Sequence, residues 1–185
     1  MIEVRFHGRG GQGSVVASNL LANAAAIEGN DVQSFPYFGV ERRGAPVSAF
    51  TKIDKKPIRN KAQIYEPDYI VILDASLIQG VPVSEGIKED GIIIVNTPLT
   101  LEELAPPWDT TKVKTVTTDA TGIAIDHGLG SMNQPIVNTS ILGAFAKITG
   151  LVKIESIVEA IKDMVPRRTE DNAKAASQAY EVTQN

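Results

Sequence analysis

The sequence predicts an α/β fold with a mostly parallel sheet and one antiparallel hairpin element. The chain begins with a strand-like segment, a glycine-rich turn and a helix-like segment. Two short, continuous apolar runs, at residues 69–73 and 92–95, are typical of strands buried on both faces of a parallel sheet. Apolar residues at helical spacing dominate the end of the chain. Strand and helix patterns that alternate along one chain indicate an α/β architecture.

The first elements follow from side-chain alternation and from glycine. Residues 2–6 alternate apolar and charged side chains, the period of two that is typical of a strand. The segment 14–28 is rich in Ala and Leu, and Gly29 follows it at a position where a helix C-terminal cap is favoured. Residues 31–35 predict a second strand, which ends at Pro36.

The middle of the chain predicts the antiparallel element. Residues 47–53 predict a strand, residues 54–57 a turn and residues 58–59 a return strand, so we expect a hairpin here. After the two buried strands, residues 100–104 predict a short helix, and residues 113–116 predict another strand.

The C-terminal part predicts helices. Residues 135–149 are apolar on nearly every side, which predicts a well-buried helix. Residues 154–161 keep helical spacing of their apolar side chains. Thr169 is followed by Glu170 and Asp171, so we expect a final helix with a capping residue and favourable charges at its start.

Composition and charge exclude several classes of protein. The 185 residues, 43% of them hydrophobic, fit a single domain over residues 1–185 with an ordinary core. A net charge of -4 provides no general attraction to nucleic acid or to anionic membranes. No run approaches the roughly 18 apolar residues of a membrane span, and the first residues lack the apolar region of a signal peptide. We therefore expect a cytoplasmic protein with no nucleic-acid or membrane partner.

Candidate chemical groups are few. The chain has no cysteine, so it can form no disulfide, thiolate nucleophile, Cys-ligated zinc site or Cys-ligated iron–sulfur cluster. Neither His7 nor His127 has the paired spacing of a metal site. No catalytic triad or carboxylate pair can be assigned from residue order. We therefore predict no catalytic residue and no metal site, and expect a binding site.

A glycine-rich motif between the first strand and the first helix is the first candidate binding element. It reads G-x-G-x-x-G and consists of Gly8, Arg9, Gly10, Gly11, Gln12 and Gly13. Such a turn leaves backbone N–H groups at a helix N-terminus, which is a natural anion site. A dinucleotide site would also need an acidic residue at the end of the second strand, where Gln33, Ser34 and Phe35 stand. A phosphate site and a purely structural turn or subunit contact remain the main alternatives.

The second candidate is a charged loop between two glycines. Glu41, Arg42 and Arg43 lie between Gly39 and Gly44. Adjacent arginines in a rigid loop can present two guanidinium groups to a phosphate or a carboxylate. The alternative is a solvated charge cluster, since charge runs usually lie at the surface.

Several motifs follow one another in the order of a known family. They are His7 with the glycine motif, residues 39–46, Pro67-Asp68, residues 118–124, Asn138-Thr139 with residues 142–144, Glu170-Asp171-Asn172 and Ala179-Tyr180. On these residues, and over essentially its whole length, the chain resembles the gamma subunit of pyruvate and related 2-oxoacid:ferredoxin oxidoreductases. The resemblance implies a three-layer α/β/α sandwich.

The resemblance also implies a role in a multisubunit, thiamine diphosphate-dependent oxidoreductase. Such a complex converts a 2-oxoacid and coenzyme A to acyl-CoA and CO2 and passes the electrons to ferredoxin. The expected reaction converts pyruvate to acetyl-CoA. A branched-chain 2-oxoacid, 2-oxoglutarate and a purely structural docking role with no ligand site are the alternatives.

The same resemblance implies how components are divided among the subunits. Thiamine diphosphate, magnesium and the 4Fe-4S clusters belong to the alpha, beta and delta partners, and ferredoxin is reached through the complex. A role for this chain in receiving coenzyme A is consistent with the resemblance, with the glycine motif and Glu41, Arg42 and Arg43 as candidate binding residues. Because permanent subunit interfaces are large and apolar, we also expect the isolated chain to self-associate.

Overall fold

The computed structural model describes residues 1–37, 43–60 and 62–184. Its strands are β1 (Ile2–Arg9), β2 (Asp31–Pro36), β3 (Pro46–Asp54), β4 (Tyr69–Ile72), β5 (Ile92–Asn96), β6 (Lys114–Thr118), β7 (Gly130–Ser131) and β8 (Gln134–Pro135). Its helices are α1 (Ser14–Ile27), a 3-10 helix (Ala75–Gln79), α2 (Leu101–Leu104), α3 (Ala120–Asp126), α4 (Ser140–Thr149), α5 (Ile154–Met164) and α6 (Thr169–Val182). None of the helices in these described segments is long and apolar enough to cross a membrane.

The central sheet confirms the predicted α/β fold. Its strand order is β2-β3-β1-β4-β5-β6. β1, β4, β5 and β6 are parallel, whereas β3 is antiparallel to both β1 and β2. After β1 the chain continues to β2 and β3 on one side of β1 in the sheet, whereas after β4 it continues to β5 on the other side. The loops that follow β1 and β4 therefore run in opposite directions. Divergence of this kind is where open α/β sheets commonly place a ligand.

The antiparallel element differs in one respect from the prediction. The prediction of a return strand at residues 58–59 is wrong, because β3 already has β1 and β2 as its two neighbours in the sheet. Ile58 is held instead by side chains of the edge strand β2. Its N–H donates to Asp31 Oδ2 at 2.6 Å, and its carbonyl accepts from Gln33 Nε2 at 2.7 Å.

The two faces of the sheet are covered unequally. On one face α1 packs against the sheet, and α4, α5 and α6 pack with it around a core that includes Phe6, Leu20 and Phe145. On the other face the 3-10 helix, α2 and their connecting loops cover a smaller core that includes Ile72 and Val95. The arrangement is a three-layer α/β/α fold with one thin outer layer.

Two helix starts differ from the sequence predictions. α4 begins at Ser140 rather than near residue 135, because Gln134 and Pro135 form β8 and pair with β7. Thr169 was expected to cap α6, but Arg168 occupies the cap position with a φ of 52°. The Thr169 hydroxyl donates back to the carbonyl of Val165 at 2.7 Å, so it does not cap the helix.

Candidate functional site

The glycine turn joins the end of β1 to the start of α1. Gly11 and Gly13 have φ values of 99° and 85°, a backbone region that favours glycine. A side chain at Gly8 would collide with the Ser14 hydroxyl, which explains a glycine there. Gly13 stands at the cap position of α1, and none of the described side chains caps this helix. The turn therefore ends at an uncapped helix N-terminus, whose free backbone N–H groups favour the binding of an anion.

The segment that follows the charged loop lies directly against this turn. Gly10 N–H donates to the Ala45 carbonyl at 2.9 Å, and Gly44 N–H donates to the Gly10 carbonyl at 3.1 Å. Arg43 pairs with Gly10 in the same short bridge, and its guanidinium donates to Gln134 Oε1 at 2.5 Å. The structure thus brings the glycine motif and Arg43 together. Glu41 and Arg42 lie outside the described residues.

The Arg9 and Gln12 side chains turn toward the end of β4. Arg9 donates from Nε to Asp74 Oδ2 at 3.1 Å, and its terminal nitrogens donate to the Gly44 carbonyl and to Ser76 Oγ. Gln12 accepts from Arg9 N–H at 2.7 Å and donates to Asp74 Oδ2 at 2.9 Å. Both candidate residues are therefore engaged in holding the turn to the next strand.

Asp74 is the anionic centre of this cluster. Partial burial acts to raise its pKa, but hydrogen bonds from Ser76 and Gln12 and the charge of Arg9 outweigh burial, so the pKa lies below its usual value. Asp74 also lines a cleft of about 490 Å³ at the carboxyl ends of β4 and β5, and Asp119 lines the same cleft. This cleft therefore carries two carboxylates.

Asn138 lies against the last residue of the turn, Gly13. A Cβ at Gly13 would stand 2.7 Å from Asn138 Nδ2, so the amide packs against the residue that precedes α1. Its Oδ1 is buried and has no hydrogen-bond partner in the described part of the chain, and the same holds for the hydroxyl of Ser14 in the first turn of α1. Sequence reasoning missed a role for both residues. Asn138 lay within the family-like motifs, but only the fold places it beside the glycine turn.

A buried polar pair supports the turn from the other face of the sheet. Arg5 Nε donates to His7 Nε2 at 3.0 Å, and the Arg5 terminal nitrogen donates to the Val83 and Glu85 carbonyls. The hydroxyl of Ser48 lies 3.2 Å from His7 Nδ1. Burial, together with the adjacent Arg5 charge, lowers the pKa of His7 to about 3. His7 is therefore neutral near pH 7 and acts as a structural acceptor.

The chemistry that this arrangement supports is binding of an anion. In the segments that the structure describes, no three His, Asp or Glu side chains come together as a metal site would require. The glycine turn instead places backbone N–H groups at the N-terminus of α1, with the Asn138 amide against Gly13 and with Arg43 paired to Gly10 earlier in the turn. Groups of these types bind phosphates and carboxylates.

Comparison with known proteins gives matches over nearly the whole chain. The family model of pyruvate ferredoxin/flavodoxin oxidoreductase matches residues 3–182. The common gamma subunit of the pyruvate/ketoisovalerate oxidoreductases of Pyrococcus abyssi is 59% identical, over 100% of this chain and 98% of its own length. The pyruvate synthase subunit PorC of Methanothermobacter marburgensis is 51% identical, over 98% and 97%. The crystal structure of pyruvate oxidoreductase subunit PORC from Thermotoga maritima is 35% identical, with a TM-score of 0.80 over 99% of this chain and 97% of that one.

Proposed function

The chain belongs to the pyruvate ferredoxin/flavodoxin oxidoreductase family, and on that premise we propose that it is the gamma subunit of a thiamine diphosphate-dependent complex that oxidises pyruvate. In the proposed reaction, pyruvate, coenzyme A and oxidised ferredoxin give acetyl-CoA, CO2 and reduced ferredoxin. The similarity to the gamma and PorC relatives extends over nearly the full length of this chain and of each relative, which supports this role. We propose that residues 1–185 form one domain of the complex.

The proposed division of labour follows from the donor groups of this chain. Iron–sulfur clusters need thiolates, and the sequence has none, so the 4Fe-4S clusters are assigned to partner subunits. Thiamine diphosphate and magnesium are assigned to the same alpha, beta and delta partners. This chain contributes binding groups and an interface, and ferredoxin docks on the assembled complex.

The identity of the 2-oxoacid has a second candidate. The relatives at 58–59% identity are named as subunits common to pyruvate and ketoisovalerate oxidoreductases, whereas those at 50–52% are named as pyruvate synthase subunits. The higher identity to the shared subunits favours a gamma chain that serves two complexes. In that case the same chain would assemble with two different sets of catalytic partners.

We propose that this chain contacts coenzyme A through the glycine turn and Arg43. The observation that carries this assignment is the backbone pairing of Gly10 with Gly44 and Ala45, which places Arg43 beside Gly10 in the turn that leads into α1. Both elements favour phosphate, and coenzyme A carries phosphates far from its reacting thiol. In the docking alternative, the same surface contacts only a partner subunit.

Anaerobic purification of the complex through a tag on this chain tests the role. The complex should reduce ferredoxin, or a viologen dye, with pyruvate in a reaction that requires coenzyme A, and the isolated chain should be inactive. A shared subunit would also purify with a second set of partners active on 2-ketoisovalerate. Turnover by the isolated chain, or a complex with no 2-oxoacid activity, would contradict the proposal.

The coenzyme A contact is tested by Arg43→Ala in the reconstituted complex. Loss of a hydrogen bond to a charged group, worth roughly 1.5 to 3 kcal/mol, raises the KM for coenzyme A about 10- to 150-fold. The KM for pyruvate should stay unchanged, and Arg43→Lys should recover part of the loss. Arg167→Ala, an exposed arginine between α5 and α6, is the matched control. If Arg43→Ala instead causes dissociation while intact complex keeps its KM, the docking role is favoured.

A further inference from the structure

A basic loop, residues 55–60, follows β3 at the end of the sheet that lies away from the glycine turn. It contains Lys55, Lys56 and Arg59 and no acidic residue, although the chain as a whole has a net charge of -4. β3 is antiparallel to β1, so the basic loop lies beside the start of β1, whereas the glycine turn follows the end of β1. A strand of eight residues spans about 25 Å, so the basic loop is a surface separate from the turn.

Hydrogen bonds fix the backbone of the basic loop. Two side chains of β2 hold Ile58 through both its N–H and its carbonyl. The N–H of Lys56 donates to Asp54 Oδ1 at 3.1 Å, and Lys52 Nζ donates to the Asn60 carbonyl at 3.4 Å. The loop therefore presents its side chains from a defined position beside the sheet.

The three cationic side chains of the basic loop are exposed and uncompensated. Lys55, Lys56 and Arg59 are exposed, and none of them has a side-chain hydrogen bond or ion pair with the described residues. The acidic groups that contact the loop are engaged elsewhere. Asp54 pairs with the N-terminal ammonium at 3.1 Å, and Asp31 accepts from a backbone N–H of the loop. Three cations therefore outweigh the single unbalanced charge of Asp31, and the surface is positive.

The residue types of the basic loop favour a transient partner over a permanent one. Lysine is depleted in the cores of protein interfaces, where aromatic residues, Met and Arg are enriched. None of the large hydrophobic side chains that are exposed in the described segments belongs to this loop. Exposed charges mainly raise the rate at which oppositely charged proteins meet. Such a surface fits an acidic protein that binds and leaves quickly.

In the proposed reaction one protein must bind and leave during turnover. The catalytic subunits stay assembled with this chain, pyruvate and coenzyme A are small molecules, and ferredoxin receives the electrons and departs. Encounters of electron-transfer proteins have small, weak interfaces, which is the kind that a short charged loop can provide.

We propose that the basic loop is a docking surface for an acidic face of ferredoxin, which it steers toward the subunit that carries the iron–sulfur clusters. The inference rests on the proposed function. The loop contains no redox group, so it acts on the encounter alone and no electron passes through it. Its three cations attract the carrier over a distance that the salt concentration sets.

Neutralisation of the basic loop in the assembled complex tests this inference. Lys55→Gln, Lys56→Gln and Arg59→Gln together remove three charges and leave the backbone hydrogen bonds of the loop in place. At about 0.01 M ionic strength the kcat/KM for ferredoxin should fall about 10-fold, the lower end of what electrostatic steering contributes. The difference should shrink at about 0.1 M, because the Debye length falls from about 30 Å to about 10 Å. The Tm, the rate of viologen reduction and the KM for pyruvate and for coenzyme A should stay at their wild-type values.

The matched control neutralises the same residue types on another surface. Lys162, Arg167 and Lys174 are exposed on α5, on α6 and between these two helices. Their replacement by Gln changes the net charge of the complex by the same amount as the loop variant. The kcat/KM for ferredoxin should stay within about twofold of the wild-type value, because steering depends on where the charges lie.

Three results would overturn the inference and leave the gamma-subunit role intact. They are a wild-type kcat/KM for ferredoxin in the loop variant at low ionic strength, an equal fall in the control variant, and an equal loss of viologen reduction. Dissociation of the loop variant on gel filtration would also count against it, because the loop would then belong to a permanent subunit interface. A wild-type complex without 2-oxoacid activity would instead contradict the proposed function. Calorimetric titration of ferredoxin into the wild-type and variant complexes at low ionic strength would still measure docking.

Discussion

Asp74→Ala should destabilise the chain by disconnecting the glycine turn from β4. The carboxylate accepts hydrogen bonds from Arg9 Nε at 3.1 Å, from Gln12 Nε2 at 2.9 Å, and from the backbone N–H and the hydroxyl of Ser76 at 3.0 and 2.6 Å. The Ser76 bonds also cap the 3-10 helix. One substitution therefore removes a local cap and two long-range bonds.

The expected loss is about 2 to 3 kcal/mol in the free energy of unfolding. A cap contributes about 1 kcal/mol, and the Gln12 bond to a charged acceptor about 1.5 kcal/mol. The Arg9 ion pair adds at most about 0.5 kcal/mol, because its side chains are 34% and 20% exposed and solvent screens them. Urea unfolding of the full-length chain, followed by circular dichroism, measures the difference.

Asp109 supplies the control because it has the same local contacts without the long-range ones. It accepts from the backbone N–H of Thr111 at 3.0 Å and from its hydroxyl at 2.6 Å, and it pairs with exposed Lys112. Asp109→Ala should cost about 1 kcal/mol or less. If Asp74→Ala cost no more than Asp109→Ala, the proposed link between the turn and β4 would be refuted.

The pH dependence of the same variant provides an independent check. The pKa of Asp74 is lower in the folded chain than its ordinary value of 3.8. The unfolded chain therefore binds the proton first as the pH falls, so the contribution of Asp74 is present above about pH 4 and is lost as the pH falls through its folded pKa. The stability difference between wild type and Asp74→Ala should shrink over that range.

Two further predictions concern close packing and burial. Gly143→Ala should lower the free energy of unfolding by about 3 kcal/mol or prevent folding, because a Cβ would collide with the Ala176 carbonyl where α4 crosses α6. Gly80→Ala is the control: no atom lies within 4 Å of the added Cβ, so the free energy of unfolding should change by less than about 0.5 kcal/mol. The ring signals of His7 should not titrate between pH 5 and 8, because its pKa lies near 3; an NMR titration that moved them near pH 6.5 would contradict the buried, neutral assignment.

The first strand, glycine turn and first helix could be predicted from sequence because local pattern determines them. Alternation at residues 2–6 and the Ala-rich segment after the turn correspond to β1 and α1. The buried apolar runs likewise correspond to β4 and β5. In each case the signal is contained within about ten residues. The burial of β1 does not follow its alternation, because Arg5 and His7 are buried as well as Val4 and Phe6.

Non-local pairing explains the predictions that failed. The residues after β3 resemble a return strand, but β1 and β2 already occupy both edges of β3. The sequence suggests that the Thr169 hydroxyl caps α6, but in the fold this hydroxyl donates to the carbonyl of Val165 instead. Asn138 has no local signal, since its contact with Gly13 exists only once the segment before α4 lies against the glycine turn. In each of these cases the outcome depends on contacts between residues that are distant in sequence, which the local pattern does not contain.

Arg9 illustrates why the glycine motif alone cannot identify the binding groups. By sequence it is the cation within the motif and the obvious partner for a phosphate. In the structure each of its three nitrogens donates, to Asp74, to the Gly44 carbonyl and to Ser76. Recruiting Arg9 to a ligand would leave the Asp74 carboxylate without its cation, beside the incoming anion. Among the described residues, the Arg43 guanidinium bonds only the neutral amide of Gln134, so an anion gains more from Arg43 than from Arg9. The backbone bridge from Gly10 to Gly44 brings this second cation to the turn.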